Sequence, residues 1–517
     1  MGPLVIPILA FLSLSYFVFI LLSLSVAGIL LTVITAVVYS CYFGIHCRKP
    51  HYSLYFFLIF QLLFPRGKLY SDYSIIYDKS YGVYPFLMIE LISCFPILIQ
   101  LIRNKTFLKG SPEYLRLFIY CVFWSSVSLF VFESIRQVSG WIGFEYYVDK
   151  SAFISGSSFL CGVVFLCGCA MFINDIDRIK MLFVIIILSG FELFIEALFY
   201  QVLQLDLPRA VNVAGEGLEG RFLSLIFGSY QLLVNVCFAA IGACLYFFSQ
   251  KRNYYMILLL FSLFIPIFVT YQRSPIVAGL VIIGGFYILS GKSIKHLLMR
   301  LVLVFGPLLL AGIYYEVIVE YFLSKNILMI TDARPYYFAV ESYMGSWESR
   351  IGASIRGVEL LIASFPFGLG VDDIRFYQAM ASSSVDSLLV QFLPHSASAT
   401  STYLQIITNE RSTDPHNWFI KYIAEYGAVG SLTVCSLFLG FMLNLKKFLK
   451  NTYHFKDTSI NNLYLMRITG LSVILGMMVY SLYQAFILYS LLFFFVFLSF
   501  FRYRQPKSSK LTIYDSQ

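Results

Sequence analysis

Apolar runs of about twenty residues recur along most of this sequence, separated by short loops in which the basic residues collect. No other feature constrains the fold as tightly. Inside a bilayer the backbone has no water to bond, so a run of that length must satisfy its own N–H and C=O groups, and only a helix does so within one segment. The 517 residues are 59% hydrophobic and 13% charged, more apolar than a soluble chain tolerates. The expectation is an all-α polytopic membrane protein. The net charge of +9 is spread through short loops, where a membrane protein places it, so no nucleic-acid partner is expected.

Residues 4–45 hold two expected spans broken near Ser25, and residues 53–64 a short one that either spans or re-enters. Further spans are expected at 81–102, 115–135, 151–173, 181–203, 222–247, 254–270, 275–290, 297–320, 417–443, 463–482 and 484–501, about 14 in all. Basic loops carrying Arg48/Lys49, Arg103/Lys105/Lys109, Arg178/Lys180, Lys251/Arg252, Lys292/Lys295, Lys446/Lys447/Lys450 and Arg502/Arg504/Lys507/Lys510 all fall on one side, which the positive-inside rule makes cytoplasmic. Both termini join that side. The other side holds one long loop, residues 321–415. The chain therefore divides into N-terminal spans (1–203), central spans (204–320), the long loop, C-terminal spans (416–501) and a cytoplasmic tail (502–517). The apolar N-terminal run lacks a basic n-region and outlasts a signal-peptide core, so no cleavage is expected; Ile6 also breaks a myristoylation motif. The cysteines lie almost wholly in apolar segments without metal-ligand spacing, and Cys167-Gly-Cys169 reads as small-residue packing.

In the long loop, residues 346–364 read as an amphipathic helix able to lie on the membrane, and Phe365-Pro-Phe-Gly-Leu-Gly370 ends it with breakers. The loop returns to Thr413-Asp-Pro-His-Asn-Trp418, which carries helix-start signals: Asp414 as N-cap and Pro415 at the first helical position. His416 and Asn417 then fall in the first turn, where free N–H groups and the positive helix end suit an anion and disfavour imidazolium. On one helix, Ile420, Ile423, Ala424 and Gly427 share a face with His416, and Glu425 points away. His416 is then either a polar residue of the cap region or a neutral base on the rim of a membrane helix.

Arginines on the outer side run against the charge rule. Arg221 opens a span, Arg273 sits in a tight turn between two, and Arg350 and Arg356 lie on the loop helix. Each either snorkels to headgroups or makes the forked phosphate contacts for which a guanidinium is suited. Glu192 and Glu196, four apart within a span, either balance these charges or hold a proton, and structural balance is the favoured reading. Asp372-Asp373 reads as a turn, and no metal site is expected.

Four pieces in order resemble the O-antigen ligase and polymerase superfamily of bacterial membrane glycosyltransferases: Gly220-Arg221, Gln272-Arg273-Ser274, Ser349-Arg350 through Pro366-Phe-Gly-Leu-Gly370, and His416-Asn417 with Glu425-Tyr-Gly427 and Gly430. The third piece is one residue shorter than the family pattern between its proline and first glycine. The resemblance covers about residues 220 to 440. It implies a GT-C-like helical enzyme of the bacterial inner membrane, using a glycan on undecaprenyl diphosphate at the outer face, with no cofactor. Its implied roles are His416 as general base toward the acceptor, Arg221, Arg273, Arg350 and Arg356 on the diphosphate, and Asn417 and Glu425 in support; Glu192 and Glu196, outside the matched stretch, are expected in support from their placement within a span alone. Length and span number favour a polymerase over a ligase to lipid A-core, with a chain-length regulator and a flippase as partners. A lipid-linked oligosaccharide flippase is the reading from another class; transporters tend to repeated halves and short loops, and this chain has one long loop bearing candidate residues.

Overall fold

The computed structural model describes residues 49, 51–63, 94, 96–104, 108, 111–141, 150–203, 230–251, 254–270, 273–290, 358, 366, 368, 417–451, 458–482 and 488–501. Among these, eleven helices follow in chain order: α1 (His51–Leu63), α2 (Glu113–Trp141), α3 (Lys150–Phe172), α4 (Ile176–Leu203), α5 (Tyr230–Lys251), α6 (Tyr254–Ser262), α7 (Phe264–Val269), α8 (Arg273–Leu289), α9 (Trp418–Asn451), α10 (Thr458–Ser481) and α11 (Tyr489–Phe500). A further helical stretch covers 96–103. Among the described residues four segments are long and apolar enough to cross a membrane, Ile176–Leu198, Leu232–Gln250, Trp418–Lys446 and Asn462–Ser481, beside five shorter apolar helices. The expected spans at 4–45 and 297–320 lie outside the described residues, as does the loop helix 346–364 apart from Val358, which is helical and exposed.

Helix α11 is the hub. Ser490 through Phe500 are all buried, because the sequence Ser-Leu-Leu-Phe-Phe-Phe-Val-Phe-Leu is apolar on every face and packs on α10, α3, α9, α2 and α5. Its twelve residues make it about 18 Å long. It starts at Tyr489 after an extended Leu488, later than the expected 484. Arg467 of α10 donates from Nε and a terminal nitrogen to Phe501 O, at 2.9 and 2.6 Å, closing the C-terminal end of α11. The two helices approach through Gly470, where a Cβ would lie 2.8 Å from Ser499 N and 3.0 Å from Phe495 O. Small residues serve in this way where lipid, not water, surrounds a bundle.

Contacts sort the helix ends. Gln250 Nε2 donates to Asn462 Oδ1 at 2.9 Å, Tyr464 OH to Leu289 O at 3.4 Å, and Tyr114 and Phe500 rings meet at 6.5 Å. Residues beside the basic loops thus gather at one end of the bundle. The start of α8, the end of α10 and the start of α11 lie at the other.

Two expected single spans are irregular. Residues 254–270 form α6 and α7, which meet at Leu263 with its angles still helical (φ −68°, ψ −16°); Pro266 has no N–H to give and its ring crowds the carbonyl of Ser262, which distorts the helix there without ending the span. The expected span 417–443 is broken. Gly427 sits inside α9 at φ 60°, ψ −133°, far from helical values. The Phe419 and Phe438 rings are 5.4 Å apart, although nineteen residues of continuous helix separate Cα atoms by about 28 Å. A Cβ on Gly430 would lie 2.8 Å from Tyr422 O and 3.3 Å from Ile423 Cα. Helix α9 is therefore a hairpin. An outer arm, 418–426, folds back along an inner arm, 428–451, about a tip at Gly427. The inner arm buries Thr433 and Ser436 against α2, where Ser125 Oγ and Thr433 Oγ1 are 3.1 Å apart, and exposes Leu432, Leu439 and Met442. Polar inside and apolar outside is the pattern of a lipid-facing helix.

Candidate functional site

The hairpin gathers the described part of the strongest motif. Asn417 Oδ1 accepts from Ile420 N–H at 3.2 Å, and its carbonyl from Lys421 N–H at 3.0 Å. Asn417, not Asp414, is therefore the N-cap, and the expectation that Asn417 lies in the first turn is corrected. Both residues are Asx caps by type; the one whose side chain meets an amide three residues on is Asn417, and the helix starts after it at Trp418. At that start the Phe419 ring lies against Phe438 of the inner arm, and Trp418 lies against Tyr489 at the start of α11.

Along the outer arm, Trp418, Tyr422 and Tyr426 form an aromatic strip against α3 and α11. Trp418 Nε1 donates to Tyr489 OH at 3.4 Å, and the Tyr426 ring lies 5.5 Å from Phe159. The same arm carries Lys421 and Glu425, 7% and 5% exposed, with Nζ 3.9 Å from Oε1. A charge pair withdrawn from water needs such a partner. Sequence reasoning missed Lys421; a Lys and a Glu at i, i+4 inside an apolar run was the available signal.

At the tip, the long loop meets the hairpin through backbone. Ala428 N–H donates to Pro366 O at 2.8 Å. Gly368, at φ 79°, has no room for a side chain: a Cβ would lie 2.5 Å from Gly427 N and 2.6 Å from Glu425 O. The glycines of two separate motif pieces are thus in contact. Gly427 takes a backbone conformation that side chains disfavour, Gly430 lets the outer arm cross close, and Gly368 lets the loop reach the tip.

Of the other expected site residues, Arg273 is the first residue of α8, at the bundle end that carries the hairpin tip; its side chain lies outside the described residues. So do His416, Arg221, Arg350 and Arg356 in full. Glu196 is 5% exposed and Glu192 half-buried on α4. Helix α4 packs on α5, α1, α7 and α6, whereas α9 packs on α2, α11 and α10, so the carboxylate pair and the hairpin have different neighbours.

No curated protein matches the chain. Residues 256–435 match the family described as O-antigen ligase, a stretch running from α6 through the long loop to the inner arm of α9 and including Arg273, Arg350, Arg356, His416, Asn417 and Glu425. Over that stretch, about a third of its length, the chain is similar to this family.

Proposed function

We propose that the protein is a polysaccharide polymerase. It joins oligosaccharide repeat units carried on undecaprenyl diphosphate, at the outer face of a bacterial inner membrane, by metal-independent inverting transfer. About 14 spans in a GT-C-like arrangement belong to this reading. The observation that carries it is the tip of the α9 hairpin, where Pro366 and Gly368 of the loop motif and the helix motif Glu425-Tyr-Gly427 lie backbone to backbone. Within the family match, that contact ties the loop bearing Arg350 and Arg356 to the arm that follows His416-Asn417.

A donor used outside the cytoplasm brings its own leaving group, and a lipid diphosphate is one. His416 takes the proton of the acceptor hydroxyl as that oxygen attacks the anomeric carbon. The bond from that carbon to the diphosphate oxygen breaks, and Arg221, Arg273, Arg350 and Arg356 hold the charge that gathers on the leaving diphosphate. Asn417 fixes the helix start beside His416, and Glu425 keeps Lys421 neutralised within the arm.

The family description favours a second reading, a ligase that passes the same glycan to lipid A-core. The acceptor separates the two. Purified protein given lipid-linked repeat units alone is expected to produce a ladder of longer lipid-linked chains. Product only on addition of lipid A-core would establish the ligase instead.

A further inference from the structure

We propose that the Pro366–Gly368 turn is a positioning element that sets the angle of the outer arm of α9, and with it the place of the helix start at Asn417. The proposal rests on the reading of His416 and Asn417 as site residues.

The outer arm is braced as one piece. Asn417 caps its start, Lys421 and Glu425 bridge one turn of it, and the Trp418, Tyr422 and Tyr426 rings stack along it, with centroids 5.0 Å apart for the first pair and 4.5 Å for the second. Its angle to the inner arm is set at one residue, Gly427. At that residue the loop supplies what the hairpin lacks. Ala428 N–H opens the inner arm and has no helical acceptor in the bent state, and Pro366 O takes it at 2.8 Å. An amide N–H left without a partner at a membrane costs more than the hydrogen bond itself gains. Were the turn to leave, Ala428 N–H would find its nearest substitute in Ala424 O, four residues back. Reaching it requires Gly427 to return to helical angles and the arms to open. Two arrangements of the arm follow, and the turn selects the bent one. The long loop then governs the site through a backbone contact, independently of any side chain it presents to substrate.

The test uses full-length protein in lipid nanodiscs, with hydrogen exchange of the tip peptide and turnover on lipid-linked repeat units as separate readouts. Gly368→Ala places a Cβ against Gly427 N and Glu425 O, and is expected to speed exchange at the tip by about tenfold or more. Turnover per folded molecule should fall by about tenfold or more, with KM for the lipid-linked unit changed by less than about threefold. Gly285→Ala is the matched control, since its Cβ would meet nothing nearer than 3.6 Å, and both readouts should stay at wild-type values. Unchanged tip exchange in Gly368→Ala, or faster exchange with wild-type turnover, overturns the proposal. If Gly368→Ala does not accumulate as folded protein, Ala428→Pro removes the donated N–H at the first position of the inner arm, where proline is tolerated. It should lose turnover to the same extent, and wild-type turnover in that variant overturns the proposal equally. Absence of any product from the wild-type protein would instead remove the polymerase reading, while the exchange readout still decides whether the turn holds the tip.

Discussion

At the scale of single residues, the hairpin depends on a few positions whose chemistry cannot be exchanged. Gly427 is one, because an L-residue held at its angles costs about 1–3 kcal/mol. Asn417 is another. Asn417→Ala should lower stability by about 1 kcal/mol, and Asn417→Asp, which keeps the accepting oxygen, should recover most of it in thermal unfolding. Lys421→Met leaves Glu425 buried without its cation and should cost about 3–5 kcal/mol, with Lys421→Met/Glu425→Gln milder than the single change; denaturation in matched detergent checks the order. Sequence located these residues unevenly. Asp-Pro is a legible helix start, yet Asn417 two residues later outcompetes it. Nothing in the local pattern ranks two Asx caps that lie so close together.

At the scale of elements, the apolar runs predicted most described helices to within a few residues, since backbone in lipid leaves no alternative to a helix. Their breaks were harder to read. Pro266 was visible in the 254–270 run, but periodicity alone does not say whether a proline kinks or divides a span. Gly427 and Gly430 were recognised as a motif, while the reason for them, a chain doubling back, needs two arms that periodicity treats as one. The loop contact at Gly368 pairs residues about sixty positions apart, beyond any local signal. The hairpin makes a direct prediction. In a background without other cysteines, Phe419→Cys/Phe438→Cys should cross-link with a short bifunctional maleimide, which a straight α9 of about 28 Å between those positions forbids. Absence of cross-linking in folded protein would return α9 to a single rod.

At the scale of the whole molecule, the ends of the helices sort as the loop charges require, and the hairpin tip and the start of α8 share the end away from the basic loops. That end should face outward: a cysteine placed at Arg273 is expected to react with an impermeant reagent from outside, and labelling only from the cytoplasm would reverse the topology and the site together. Because arginines serve the diphosphate in this account, transfer should persist in EDTA; loss restored by magnesium would replace the arginine clamp with a metal. The central claim is that a base acts on the acceptor and arginines act on the donor, and one paired measurement separates them. Donor binding and turnover per folded molecule are followed on purified lipid-linked repeat units for His416→Ala and Arg273→Ala. The account predicts that His416→Ala binds donor nearly as the wild type does and loses turnover by about 10²–10⁴-fold, while Arg273→Ala loses both, with Arg273→Lys between. Near wild-type turnover in His416→Ala would contradict it.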